Sequence, residues 1–196
     1  MPIVYILTNQ SMPDTIKIGI TDNLERRIKE LDNTSVPLPF ECYYAVEVDD
    51  ASKIEKKIHE GLDDKRIRDN REFFRMIPEH AKAALEIASG KDVTPKDDVV
   101  ETEGDRAALQ KERKRNRFNF AEVGVEPGEI LKFKKDPSIT CKVVEGDLVE
   151  FRGRKTSLTN SALEVIHELG YKWTKIAGPQ FWTYKGKTLY DLNQED

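Results

Sequence analysis

The sequence predicts a mixed α/β protein of the α+β kind, built as two small domains, and three observations carry that prediction. Residues 2–8 (PIVYILT) and 15–21 (TIKIGIT) alternate and are rich in β-formers, with the turn-forming NQSMPD between them. Behind them Leu24, Ile28 and Leu31 recur at helical spacing. Past residue 90 the chain turns polar and acidic without any period, and short strand-like runs resume only after Phe118.

The first two runs pair as a hairpin, with Pro13 and Asp14 suited to the tight connection. Asp22 can cap the first helix, and Pro37 and Pro39 forbid its continuation past about residue 33. Residues 40–48 (FECYYAVEV) form a third strand. A second helix runs from Asp50 or Ser52 to Leu62, with Ile54, Ile58 and Leu62 on one face. DDKRIRDNREFF reads as a loop leading into Phe73 and Phe74, both expected in the core. Pro78 opens a third helix over roughly 79–89, closed by Gly90. The first domain thus spans 1–90 in the order β-β-α-β-α-α.

Residues 91–117 form the connection: a mobile linker to 104, then a charged helix over 105–117. The second domain, 118–196, begins with three strand-like runs, ILKFKK, TCKVVEG and DLVEFRG, separated by Asp-Pro and Glu-Gly-Asp turns. A helix follows at about 158–169, opened by Thr156, Ser157 or Thr159 and closed by Gly170. QFWTYKG and KTLYDL supply a strand or hairpin end and a short tail.

With 38% hydrophobic and 35% charged residues in 196, each half can bury a modest core. No apolar run approaches the roughly 18–20 residues that span a bilayer, and the start lacks the pattern of a signal peptide. No membrane partner is expected, and the expected location is cytoplasmic. Cys42 and Cys141 form no CxxC pair, so neither a zinc knuckle nor a redox motif is encoded. The net charge of −4 does not advertise a nucleic-acid binder, but the charges are segregated. Residues 97–105 are acidic, whereas 111–117 (KERKRNR) hold five basic residues and one acid. That cluster reads either as a solvated helix face or as a DNA contact.

Ile3-Val4-Tyr5 and Lys17-Ile18-Gly19, at the ends of the hairpin strands, resemble the two motifs that name the GIY-YIG nuclease superfamily, in the variant whose second motif reads KIG. With Arg27, Glu55 and the REFF run following in order, the resemblance covers residues 2–88, on the side of the phage and bacterial defence branch. It implies a small three-stranded antiparallel sheet flanked by helices, and hydrolysis of phosphodiester bonds with Mg²⁺ or Mn²⁺. Such hydrolysis needs an activated water, charge stabilisation at phosphate and help for the leaving oxygen.

Tyr5 is either an ordinary strand aromatic or, as the resemblance implies, the group that positions or deprotonates water. A phenol titrating near ~10 needs cations close by to act as a base, and Lys17 and Arg27 can supply them. Lys17 stands where many relatives carry tyrosine. Gly19 permits close backbone approach. Arg27 matches the helix arginine that holds phosphate, and Arg26, about 100° around the helix, reads as a surface or DNA contact. Glu55 resembles the carboxylate that holds the metal; a hard ion needs few carboxylates and several waters. His59 shares a helix face with Glu55 and can bind phosphate, orient water or shuttle a proton. Asn70 and Glu72 are supporting candidates: Asn70 can contact the leaving phosphate, and Glu72 can either orient Arg or His side chains or support the metal from behind its ligands.

Phe151-Arg152-Gly153, Thr156-Ser157-Leu158-Thr159, Gly178 with Phe181-Trp182, and Gly186 with Thr188-Leu189 resemble a RAMA-type domain, the module associated with restriction enzymes and adenine methylases. The resemblance implies DNA binding, including the sensing of modified bases. Arg152, Arg154 and Lys155 beside Ser157 at a helix start suit a phosphate site. Trp173, Trp182 and Tyr184 are either base-stacking platforms or core. The expected function is a metal-dependent DNA endonuclease of restriction or phage defence, acting alone, as a homodimer or in a larger defence complex. The alternative is a DNA-binding or regulatory protein with a degenerate nuclease core.

Overall fold

A computed structural model describes residues 1–171 and 173–194; residues 195 and 196, the end of the expected second domain, lie outside the described residues, as does the side chain of Arg115 in the basic cluster. The chain divides into two compact units, Met1–Asn116 and a second from Arg117 onward. Both mix helices with a sheet in which all paired strands are antiparallel.

In the first unit β1 (Ile3–Thr8) and β2 (Thr15–Thr21) form the hairpin, in a register that sets Tyr5 opposite Gly19 and Leu7 opposite Lys17. The turn closes because Asp14 accepts a left-handed φ of 58° and Asn9 takes the Ser11 N–H on its side-chain oxygen. β3 (Glu41–Glu47) pairs with the other side of β1. The expected three-stranded sheet has five strands: β4 (Phe73–Arg75) adds to β2 and β5 (Lys91–Asp92) to β3, giving the order β4-β2-β1-β3-β5. Strands of three and two residues are too short to leave an alternation in the sequence.

Helix α1 (Leu24–Leu31) is capped by Asn23, whose side chain accepts the Arg26 N–H, rather than by the expected Asp22. Helix α2 (Ala51–Gly61) starts at Asp50 in the same manner, and α3 (Pro78–Glu86) opens at its proline but stops short of 89. Strand alternation sends Val4, Ile6, Ile16 and Ile18 to a core shared with Phe74 and α3. Tyr5 and Leu7 go to the opposite core, with Leu24 and Ile28 of α1.

The expected mobile linker is instead part of the first unit. Val93 N–H donates to Ala45 O at 2.9 Å, and Val99 packs on the core beneath α1. Thr102 and Asp105 form a capping box that starts α4 (Glu103–Arg115), on which Leu109 is fully buried. The Arg113 guanidinium bonds the carboxylates of Glu41 and Asp98. Val93, Val99 and Leu109 are single anchors in polar surroundings, so they produce no period and composition alone reads as linker.

The second unit orders its sheet β11-β10-β6-β7-β8-β9, from β6 (Ile130–Phe133), β7 (Thr140–Val143), β8 (Leu148–Phe151), β9 (Arg154–Ser157), β10 (Trp182–Tyr184) and β11 (Lys187–Thr188). Helix α5 (Leu158–Glu168) buries Leu158, Ala162, Val165 and Ile166 against one sheet face, and α6 (Leu189–Gln194) ends the described chain. Arg152 and Gly153 both take left-handed φ, 52° and 74°, as a two-residue hairpin turn demands. Both cysteines are free and buried. No helix among the described residues is long and apolar enough to cross a membrane.

If α4 belongs to the first unit's core, Leu109→Ala destabilises the protein by about 2–5 kcal/mol, as deletion of a fully buried leucine does. Urea unfolding followed by circular dichroism reads this directly; a change within error would mean that the helix contributes nothing to the unit.

Candidate active site

The site is organised by one absent side chain. A Cβ on Gly19 would lie 2.6 Å from the Tyr5 hydroxyl oxygen and 2.8 Å from its ring carbon Cζ. The phenol therefore lies across the backbone of its hairpin partner, which only glycine permits. Held there, Tyr5 is 1% exposed, and its oxygen accepts a hydrogen bond from Arg27 Nε at 3.3 Å. Of the two adjacent arginines it is Arg27 that turns inward; Arg26 is exposed and pairs with Glu30 at 3.4 Å.

Burial raises the Tyr5 pKa, the hydrogen bond and charge of Arg27 oppose it, and Glu72 and Glu55 reinforce it, with the net shift upward. The phenol is thus protonated at neutral pH. Lys17 does not act on it as the sequence suggested. Its Nζ is 2.5 Å from a Glu72 carboxylate oxygen and 5.0 Å from the centre of the Phe73 ring. A cation so paired lends little field to a neighbouring phenol.

Strand β4 covers the edge of β2 only from Thr15 to Lys17. At Ile18 the edge passes to other partners: its N–H donates to Glu72 O at 3.1 Å, and its carbonyl meets His59 Nε2 at 3.3 Å. A carbonyl only accepts, so the proton of the neutral ring sits on Nε2 and Nδ1 carries the lone pair. Burial lowers the His59 pKa; the Ile18 bond works against this, Arg66 adds to it, and the ring is neutral at neutral pH. Phe74 fixes the ring from beside it, at 5.0 Å between centroids.

Glu55, one turn before His59 on α2, is half-buried, and no ion pair or hydrogen bond engages its carboxylate among the described residues. Burial raises its pKa, Glu72 raises it further and Lys17 partly compensates. Two mutually repelling carboxylates, one of them without a counter-ion, are what a hard divalent cation relieves. No group of three His, Cys, Asp or Glu side chains among the described residues could hold a metal. An ion here would rest on Glu55 and water, a donor set that suits Mg²⁺ or Mn²⁺ and not zinc.

Seven of the expected residues, Tyr5, Lys17, Gly19, Arg27, Glu55, His59 and Glu72, thus come together around the uncovered stretch of β2. Asn70 does not join them; it is exposed in the loop before β4. Sequence reasoning missed Arg66. It lies with Glu55, His59 and Asp63 along one cleft, 3.1 Å from Asp63 and stacked on Phe74 at 5.0 Å. In a loop holding four arginines and lysines before Phe73, nothing local distinguishes it.

Residues 2–89 match the T5orf172 domain. This is a phage-associated domain of the endonuclease type, and a nuclease-like, DNA-related function with DNA as partner is consistent with the match. No curated protein and no solved structure gives a significant match. The T5orf172 region stops at the end of α3, so β5 and α4 complete its sheet and core from outside the matched residues.

At the expected phosphate site of the second unit the exposed guanidiniums pair with α5: Arg152 bonds Glu164 and Glu168, and Arg154 bonds Glu164 at 2.8 Å. Ser157 caps α5, accepting the Asn160 N–H at 3.1 Å. Trp182 is fully buried with its indole N–H donated to Leu158 O, leaving no ring face for a base. Trp173 and Tyr184 also belong to the core. Lys155, by contrast, is exposed. The basic cluster at 111–117 is likewise divided: Arg113 is bound within the first unit, and Arg117 pairs with Asp147 in the second.

The His59 shift has a sign that can be checked. Its folded pKa lies below the ordinary 6.5, so the unfolded chain binds the extra proton first as the pH falls. His59 therefore leaves stability intact above about pH 6.5 and erodes it as the pH drops through the lowered value. Between about pH 7.5 and 5.5 the wild type should lose more melting temperature than His59→Gln. Equal losses would show that the ring is not held neutral.

Proposed function

We propose that the first unit is a divalent-metal-dependent phosphodiesterase of the GIY-YIG kind that cuts DNA. On this reading the second unit, a RAMA-like module, holds or selects the DNA, in restriction or phage defence. One observation carries the catalytic reading: a buried phenol, for which Gly19 makes room, lies in one site with an arginine, a neutral histidine and an unpaired carboxylate. A structural core has no use for that combination, since each polar group costs desolvation there.

Hydrolysis breaks one P–O bond as water attacks phosphorus; the water loses a proton and the leaving oxygen gains one. The protonated Tyr5 orients the attacking water through its hydroxyl. His59 has a free lone pair on Nδ1 and a neutral ring at working pH, so it takes the proton more readily than a phenol whose pKa is raised. Arg27 holds non-bridging phosphate oxygens in its planar fork and stays charged throughout. A divalent cation bound at Glu55 would supply further charge stabilisation at the phosphate. Glu72 keeps Lys17 in place, and the pair adds no free positive charge to the site. One such site cuts a duplex by two sequential nicks or as a pair of copies.

The pairing of Lys17 with Glu72 and the raised Tyr5 pKa favour a second reading, in which the unit binds DNA without cutting it. Nicking of supercoiled plasmid separates the two. We expect cleavage with Mg²⁺ or Mn²⁺, none with EDTA, and losses of about 10²–10³-fold in Glu55→Ala and Arg27→Ala with folding intact. Plasmids with and without base modifications, compared side by side, report on selection by the second unit. Absence of cleavage on every plasmid, with equal DNA binding by wild type and Glu55→Ala, would establish the binding reading.

A further inference from the structure

The sheet of the second unit has two unlike faces. Leu131, Phe133, Cys141, Val143, Val149 and Phe151 point to α5 and are buried. On the other side the register aligns two rows. Thr183, Lys132 and Thr140 lie opposite one another across β10, β6 and β7. Ile130, Lys142, Glu150 and Lys155 do so across β6, β7, β8 and β9. Ile130, Lys132, Thr140, Lys142, Glu150 and Lys155 are all exposed.

Two features set this face apart from a solvated surface. First, the side chains of its three lysines make no ion pair or hydrogen bond among the described residues, whereas Arg152 and Arg154 are neutralised by Glu164 and Glu168 on the α5 side. The hairpin turn has sorted the charges: arginines inward to the helix, Lys155 outward. Glu150, between Lys142 and Lys155, is the one carboxylate in the two rows. Second, the three lysines lie on three strands of one continuous antiparallel ladder, with Ile130, 49% exposed, among them.

We infer that this open sheet face is the DNA-binding surface of the protein, taking the phosphate backbone on Lys132, Lys142 and Lys155. The inference rests on the reading of the chain as a DNA-acting protein, and it moves the contact from the helix start to the opposite side of the sheet. Lysines on diagonal positions of adjacent strands stand roughly 7–8 Å apart, and those two strands apart roughly 10 Å. That spread lets each meet a different phosphate along one groove edge. Thr140 adds a hydroxyl, and Ile130 offers apolar contact to a sugar. With no arginine in its two rows, this surface positions DNA more than it reads sequence.

The test is fluorescence anisotropy of a labelled duplex with the full chain in EDTA, over a series of salt concentrations. The combined variant Lys132→Gln/Lys142→Gln/Lys155→Gln should bind about tenfold or more weakly, with a log–log salt slope smaller by about 3. Glu150→Gln should bind more tightly, a gain that misfolding cannot produce. Parent affinity and parent slope in both variants would overturn the assignment. Plasmid nicking by the same proteins separates the two readings. Nicking at limiting DNA that falls in step with binding supports the surface, and shifted binding without nicking in any protein leaves the surface standing while the nuclease reading fails.

Discussion

The contact between Tyr5 and Gly19 is the constraint on which the first unit depends. Pairing across the hairpin sets the two residues opposite each other, and the missing side chain lets the phenol lie on the strand at a distance no Cβ would tolerate. From that position the hydroxyl meets Arg27 of α1, so one strand pair fixes the angle of the helix and the direction of its guanidinium. A larger residue at 19 would lift the phenol off the strand and overpack the core around it.

Electrostatics then divides the site into two parts with different duties. Lys17 and Glu72 satisfy each other and close the end of β4 against β2. Glu55, His59 and Tyr5 carry raised, lowered and raised pKa values respectively, each with burial as the largest cause. Partial burial thus biases all three toward their neutral forms. An added cation reverses that bias at Glu55, because it offers the carboxylate the counter-ion that the protein withholds.

Much of this was legible in the residues. The hairpin, α1, β3 and α2 follow from alternation and helical spacing, and the order of Tyr5, Lys17, Gly19, Arg27 and Glu55 pointed to one site before any geometry. What escaped has physical reasons. Edge strands β4 and β5 are shorter than any detectable period; the expected charged helix is present as α4, but its docking on the first unit through Leu109 and one arginine network leaves no apolar stripe to read. Arg152 and Arg154 looked free because their partners, Glu164 and Glu168, lie ten or more residues ahead on α5. Trp182 offered no local sign of its burial. The open lysine face was invisible because its rows join residues from different strands.

The most direct test of the account is uptake of Mn²⁺ at Glu55, measured by water-proton relaxation on the wild type and on Glu55→Gln. We expect saturable binding near one ion per chain in the wild type and its loss in the variant, with the circular dichroism spectrum unchanged. Equal uptake by both proteins, or none by the wild type in the presence of DNA, would contradict it.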